Sequence, residues 1–170
     1  MKILVPEYKI QRAVDDLARS ISKFEKRHGT GNPPVFLGVL NGAFMFLADL
    51  VKSMEIELQV DFIQTQSYEG QTHNGVTMIK HPKLDLSNKR VYIIEDIVDS
   101  GLTITSIKGF IATTYENTQV YVVSLIKRKD DTNNNIDFHA LTIGDEWIYG
   151  YGLDDNETKR NYRNIYEKIT

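Results

Sequence analysis

Val91-Tyr92-Ile93-Ile94-Glu95-Asp96-Ile97-Val98-Asp99-Ser100-Gly101-Leu102-Thr103 is the stretch on which the fold turns. Its first half is a short apolar run rich in β-branched residues. Such a run is too short for a membrane span and predicts a central strand of a parallel sheet, buried on both faces. Glu95 and Asp96 stand where that strand emerges, and residues 99–103 turn into a helical pattern carrying Leu102, Ile104, Ile107, Phe110 and Ile111. A strand, a small-residue loop and a helix start offer backbone N–H groups, two hydroxyls and the positive end of a helix dipole to an anion such as phosphate. The two carboxylates do not suit phosphate. They suit vicinal hydroxyls, which donate to carboxylate oxygens, and Mg²⁺, which prefers hard oxygen ligands. The stretch therefore asks for a ribose 5-phosphate whose diol points at Glu95 and Asp96. The competing reading is an ordinary strand-to-helix turn with solvated acids.

Outward from this stretch, strands and helices alternate. Ile10, Ala13, Val14, Leu17, Ala18, Ile21 and Phe24 recur at helical spacing, predicting an amphipathic helix over residues 10–28 that stops at Gly29. Residues 35–40 read as a buried strand, Asn41-Gly42 as a tight turn, and 43–54 as a helix with Phe44, Leu47, Ala48 and Val51. The amides after Leu40 would face the same sheet edge as the 99–103 loop. Residues 57–66 alternate Leu58, Val60 and Phe62 with polar neighbours, and 76–81 read as the returning strand, closed by Pro82. The polar, glycine-containing segment between them, 67–75, is longer than a hairpin turn requires and reads either as a lid or as a hairpin tip. Residues 119–126 form another strand running into Lys127, and 136–143 a further short one. Alternation of this kind predicts a Rossmann-like α/β fold, a parallel sheet with right-handed crossovers flanked by helices.

A chain of 170 residues fits a single domain over 1–170, long enough to bury about two thirds of its unfolded surface. The absence of cysteine excludes disulfides, thiolate zinc sites and a thiol nucleophile. His28, His73, His81 and His139 show no helical metal spacing. No apolar run approaches a membrane span and Met1-Lys2-Ile3-Leu4-Val5-Pro6 is too short for a signal peptide, so the expected location is cytoplasmic. A net charge of -3 disfavours nonspecific nucleic-acid binding as the main task. A protein for anionic phosphates must then concentrate its positive charge, and Lys127-Arg128-Lys129 and Lys159-Arg160 with Arg163 are the densest clusters. Either cluster is equally a solvated patch. Trp147 opens a segment dense in aromatics and then acids, and by residue type alone it reads as core.

Glu-Asp-Ile-Val-Asp-Ser-Gly-Leu-Thr at 95–103 resembles the phosphoribosyl pyrophosphate (PRPP) signature of the type I phosphoribosyltransferases, in the form of the hypoxanthine-guanine branch. Other segments match that family in order. Leu40-Asn41-Gly42 resembles its pyrophosphate loop, with Asn41 where a lysine is commoner and with a cis peptide implied between Leu40 and Asn41. Ser67-Tyr68 matches the pair on its catalytic lid, Lys127 the lysine that donates to the purine 6-oxygen, and Trp147-Ile148-Tyr149-Gly150-Tyr151 with Leu153-Asp154 its purine-binding stretch. Arg160 has the spacing of its pyrophosphate arginine, while Asp155 stands where the family usually has tyrosine.

The resemblance implies the type I phosphoribosyltransferase fold with a small hood built from the chain ends, its purine-binding segment about 136–160. It implies transfer of phosphoribose from PRPP to a 6-oxopurine, with Mg²⁺ as cofactor. Asp99, Ser100, Gly101, Leu102 and Thr103 would hold the 5-phosphate, with Asp99 also the catalytic proton acceptor. Glu95 and Asp96 would hold the ribose, and Leu40, Asn41, Gly42 and Arg160 the pyrophosphate. Trp147 would stack on the base, backbone near Ile148 would read its edge, and Glu95, Asp96 and Asp154 would serve the metal. A homo-oligomer, dimer or tetramer, is expected, with neither membrane nor nucleic acid as partner. Two alternatives share the motif: a phosphoribosyltransferase for xanthine or another purine, and an RNA-binding regulator of pyrimidine genes.

Overall fold

The computed structural model describes residues 1–69, 74–130 and 135–169. In chain order the elements are β1 (Lys2–Val5), α1 (Glu7–His28), β2 (Val35–Leu40), α2 (Phe44–Lys52), β3 (Gln59–Glu69), β4 (Asn74–Lys80), β5 (Arg90–Ile97), α3 (Leu102–Thr114), β6 (Gln119–Arg128), β7 (Phe138–Ile143), β8 (Ile148–Tyr149) and β9 (Ile165–Glu167). The apolar run that opened the sequence reading is β5, buried from Arg90 to Asp96. Its residues alternate between two cores, because successive side chains of a strand point to opposite faces. Tyr92 and Ile94 join α1 and α2 residues such as Ile10, Val14 and Phe46. Val91 and Ile93 join Ile104, Ile107 and Ile111 of α3. The result is a sheet between two helical layers.

The main sheet has the order β4-β3-β2-β5-β6-β7, parallel throughout except for the β3–β4 hairpin. From β2 the chain steps outward to β3, then crosses back to place β5 on the other side. The strand order therefore reverses between β2 and β5, and a ligand crevice forms beyond the carboxyl ends of strands at such a reversal. Those ends are Leu40-Asn41-Gly42 and Glu95-Asp96. The Leu40–Asn41 peptide is cis, as the resemblance implied. At the opposite end of the sheet a buried Arg90–Glu25 pair, 3.1 Å apart, closes the fold with Tyr92.

A second sheet, β1-β9-β8, is antiparallel and joins the two ends of the chain. It supplies the small hood. Two boundaries differ from expectation. Residues 138–143 pair with β6 in the main sheet and are not part of the small one; Phe138 has an apolar partner there in Phe24 of α1, 5.6 Å away. The loop expected over 67–75 is also narrower, since pairing continues through Ser67↔Val76, Tyr68↔Gly75 and Glu69↔Asn74. A two-stranded ribbon satisfies its backbone through the ladder whatever its side chains, so polarity alone did not end the strands. The tip of the expected lid, residues 70–73, lies outside the described residues. No described helix is long and apolar enough to cross a membrane.

Candidate active site

Between β5 and α3 the backbone turns through Asp99 and Ser100, both exposed, to Gly101 at φ 74°. This left-handed residue precedes α3, whose start has no side-chain hydrogen-bond cap. The N–H groups that follow Leu102 in the first turn are thereby left for an anion. Ser100 Oγ stands 3.4 Å from the Leu102 amide, and Leu102 turns its own side chain outward. Such a loop works through backbone, so the apolar Leu102 is no obstacle. Thr103 lies in the first turn of α3.

Glu95 and Asp96 close the floor of the crevice, both buried. The Asp96 amide donates to Glu95 Oε1 at 3.2 Å and the Ile97 amide to Asp96 Oδ1 at 2.8 Å. Burial pushes Glu95 well above its usual 4.5, and the charge of Asp96 pushes it further. Burial also raises Asp96, against its hydrogen bonds with Glu95 and the Ile97 amide and the charge of Arg160. Buried side by side, the two carboxylates are short of positive charge or donors from above. A cation or a diol would supply either.

The loop from β2 packs on this floor. A Cβ added at Gly42 would fall inside the Asp96 carboxylate, 2.5 Å from its Cγ. From above, the hood presses on the same loop: a Cβ on Gly152 would collide with the Gly42 carbonyl oxygen. Gly150, Tyr151 and Gly152 have φ of 96°, 53° and 99°, a left-handed crossing that keeps the backbone close. Tyr151 fastens it by donating to Asp49 Oδ2 of α2 at 2.7 Å. Sequence reading placed Tyr151 only within the stretch matching the family's purine-binding segment and missed this role.

Beside the carboxylates opens a cavity of about 220 Å³ lined by Asp96, Ile97, Asp99, Arg128, Trp147, Ile148, Leu153 and Asp154. Trp147 is 65 % exposed, so it is a cavity wall and the core reading fails. Ile148 is buried in β8 beside it. Asp154 binds Arg160 at 3.1 Å and accepts the Glu157 amide at 3.0 Å. Arg160 is further held by Glu157 at 3.0 Å and by the Gly152 carbonyl at 3.0 Å. Lys127, the last residue but one of β6, pairs with Thr142, and its charge, after burial, lowers the pKa of His139. The cation lining the cavity is its neighbour Arg128, 3.6 Å from Asp99 and bonded to the carbonyls of Gly144 and Glu146 at 2.6 and 3.0 Å. The sequence signal for Arg128 was the basic triplet, whose strand register was not legible. Ser67 and Tyr68 belong to the β3–β4 hairpin.

A parallel sheet whose switch point carries an anion loop, a buried carboxylate pair and an aromatic-walled cavity defines a class of α/β protein shaped for a phosphorylated sugar beside a flat base. A profile of the phosphoribosyl transferase domain matches residues 5–156. The chain is 34 % identical over 171 residues to the hypoxanthine-guanine phosphoribosyltransferase of Aquifex aeolicus, covering 98 % of this chain and 93 % of that one. It is 33 % identical over 164 residues to the enzyme of the same name from Staphylococcus aureus, covering 94 % and 89 %. A crystal structure of a hypoxanthine-guanine phosphoribosyltransferase from Bacillus anthracis, with HEPES in its active site, has a TM-score of 0.88 at 29 % identity over 99 % of both chains. The chain belongs to the phosphoribosyltransferase family.

Proposed function

We propose that the protein is a purine-salvage enzyme that transfers the 5-phosphoribosyl group of PRPP to N9 of hypoxanthine or guanine, giving IMP or GMP and pyrophosphate. The observation that carries this reading is the gathering of the 40–42 loop, the Glu95–Asp96 pair, the 99–103 loop and the Trp147 cavity at one switch point. The curated relatives are named for the same activity, and the net charge of -3 does not favour an RNA-binding regulator.

In this mechanism residues 99–103 seat the 5-phosphate at the start of α3. Glu95 and Asp96 accept from the ribose hydroxyls. The base lies against Trp147, with the backbone at Ile148 along its edge. N9 bonds to C1 of the ribose as the C1–O bond to pyrophosphate breaks, and the ring proton passes to Asp99. Asp99 suits that task because its carboxylate reaches the cavity and is 71 % exposed. Leu40, Asn41 and Gly42 receive the leaving pyrophosphate through backbone, together with Arg160, which leaves its partners Asp154 and Glu157 to do so. Most of the acceleration comes from positioning and charge stabilisation. Ser67 and Tyr68, on the hairpin, would screen the reacting centre from water.

Mg²⁺ fits these residues in one way. Among the described residues no group of three acidic, histidine or cysteine side chains gathers as a metal centre, so Glu95, Asp96 and Asp154 do not form a preformed cage. The carboxylate pair offers hard oxygens at a site that substrate and water oxygens complete, the usual arrangement for this ion. Bound there, the ion would supply positive charge to the leaving pyrophosphate, and Asp154, which lines the same cavity as Asp96, would offer a further oxygen.

The test is pyrophosphate release with PRPP, Mg²⁺ and a panel of purines; release with adenine or xanthine alone would overturn the assignment. Asp99→Asn is expected to lower kcat by about 10²-fold or more with PRPP KM little changed, and equal losses in both would remove the proton-acceptor role. Lys127→Ala is expected to weaken use of 6-oxopurines most. If Arg128→Ala does so instead and Lys127→Ala leaves the preference intact, the 6-oxygen donor is Arg128. We also read the protein as a cytoplasmic homo-oligomer. Phe44, 43 % exposed and close to the 40–42 loop, supports that surface as the contact, and sedimentation of Phe44→Asp as monomer would bear it out.

A further inference from the structure

Asp155 departs from the family pattern, and its surroundings show what it does here. Its side chain is 8 % exposed and grips two lysines, Lys159 Nζ at 2.6 Å through Oδ2 and Lys168 Nζ at 2.8 Å through Oδ1. Each ammonium is placed over an aromatic ring: Lys159 lies 4.5 Å from the centre of Tyr149, and Lys168 lies 5.7 Å from that of Trp147. Backbone ties the second pair together as well, since the Lys168 amide donates to the Trp147 carbonyl at 2.8 Å. This bond extends the β8–β9 ladder one step past the Ile148↔Glu167 pair.

Trp147 needs such support. An indole that is 65 % exposed is not fixed by packing, and a loose ring costs binding because a stacking partner must first be ordered. Lys168 is not among the residues that line the cavity. The lysine can therefore hold the ring without lining the space for a base. The same Asp155 directly follows Asp154, which holds Arg160 at 3.1 Å.

We infer that Lys168, gripped by Asp155, is a positioning residue that fixes the Trp147 indole as the wall of the cavity. Its effect on turnover rests on the purine reading given above; its effect on the ring does not. Trp147 is the single tryptophan of the chain, so intrinsic fluorescence reports this ring alone. Lys168→Met keeps the apolar stem and removes the charge, and Lys168→Arg restores the charge. In the unliganded protein Lys168→Met is expected to raise acrylamide quenching and lower the emission anisotropy, with Lys168→Arg returning both toward the unaltered protein. The KM for the purine should rise about two- to fivefold in Lys168→Met, the size of an exposed cation–π contact, with the KM for PRPP unchanged. Asp155→Asn, which frees Lys168 without touching it, should reproduce the fluorescence change and serves if Lys168→Met folds poorly. Identical quenching and anisotropy in Lys168→Met, Asp155→Asn and the unaltered protein would overturn the inference. A changed ring with an unchanged purine KM, or no response of Trp147 emission to a purine that is turned over, would keep the clamp and overturn the stacking.

Discussion

Gly42 is a residue whose missing side chain is part of the site, because the Asp96 carboxylate occupies the space a Cβ would take. Neither group can retreat easily: Asp96 is buried and bonded to the Ile97 amide at 2.8 Å, and the loop above is pressed by Gly152. Gly42→Ala is expected to destabilise the fold by about 1–3 kcal/mol, the usual cost of overpacking, measured by urea unfolding. It should abolish most PRPP-dependent turnover while leaving quenching of Trp147 by a purine intact. At this scale the sequence was informative about chemistry and poor about contacts. Glu95, Asp96 and residues 99–103 were legible because their order along one strand and loop is local. That Arg128 and not Lys127 lines the cavity was not, since it depends on how the end of β6 sits against a loop some sixteen residues away.

Elements were legible where an apolar period marked them. Strand β2 occupies 35–40 as read, and α1 ends at Gly29 as read, though it begins three residues early, at Glu7. The polar hairpin was misjudged because a ribbon with little burial carries no pattern to mark its ends. One further polar residue, Asp61 in β3, fastens the connection between β4 and β5. Its carboxylate accepts the amides of Phe62, Lys83 and Leu84 at 2.7, 2.6 and 2.9 Å, with Lys80 Nζ 3.6 Å away. Burial alone would raise its pKa, but the three amides and Lys80 outweigh it and hold the group below its usual 3.8. A carboxyl depressed by folding contributes stability above its unfolded value and loses it as pH falls through the folded one. Asp61→Asn should therefore cost about 1–3 kcal/mol at neutral pH, with the difference from the unaltered protein shrinking below about pH 4. Urea midpoints across that range measure both.

On the scale of the whole molecule the parallel sheet, its helical layers and the crevice at the β2/β5 reversal follow from alternating strand and helix units. The small sheet does not, since β8 and β9 span only two and three residues and have no periodicity to read. Only a hood built from the chain ends was expected, from family resemblance alone. The sheet's brevity has a measurable effect: amides of Ile148, Tyr149, Ile165 and Tyr166 should exchange with solvent faster than those of β5, which is buried along nearly its whole length. Uniform protection across both sheets would contradict it.

The pairing of Lys2 with Glu167 spans a separation of 165 residues, close to the largest this chain allows. Contacts so distant carry the highest loop-closure cost and form late. A chain emerging from the ribosome has all of β2, β5 and α3, and with them the Glu95–Asp96 pair and the 99–103 loop, while β9 is still unmade. The Trp147 wall of the cavity is therefore the last part of the crevice to be built.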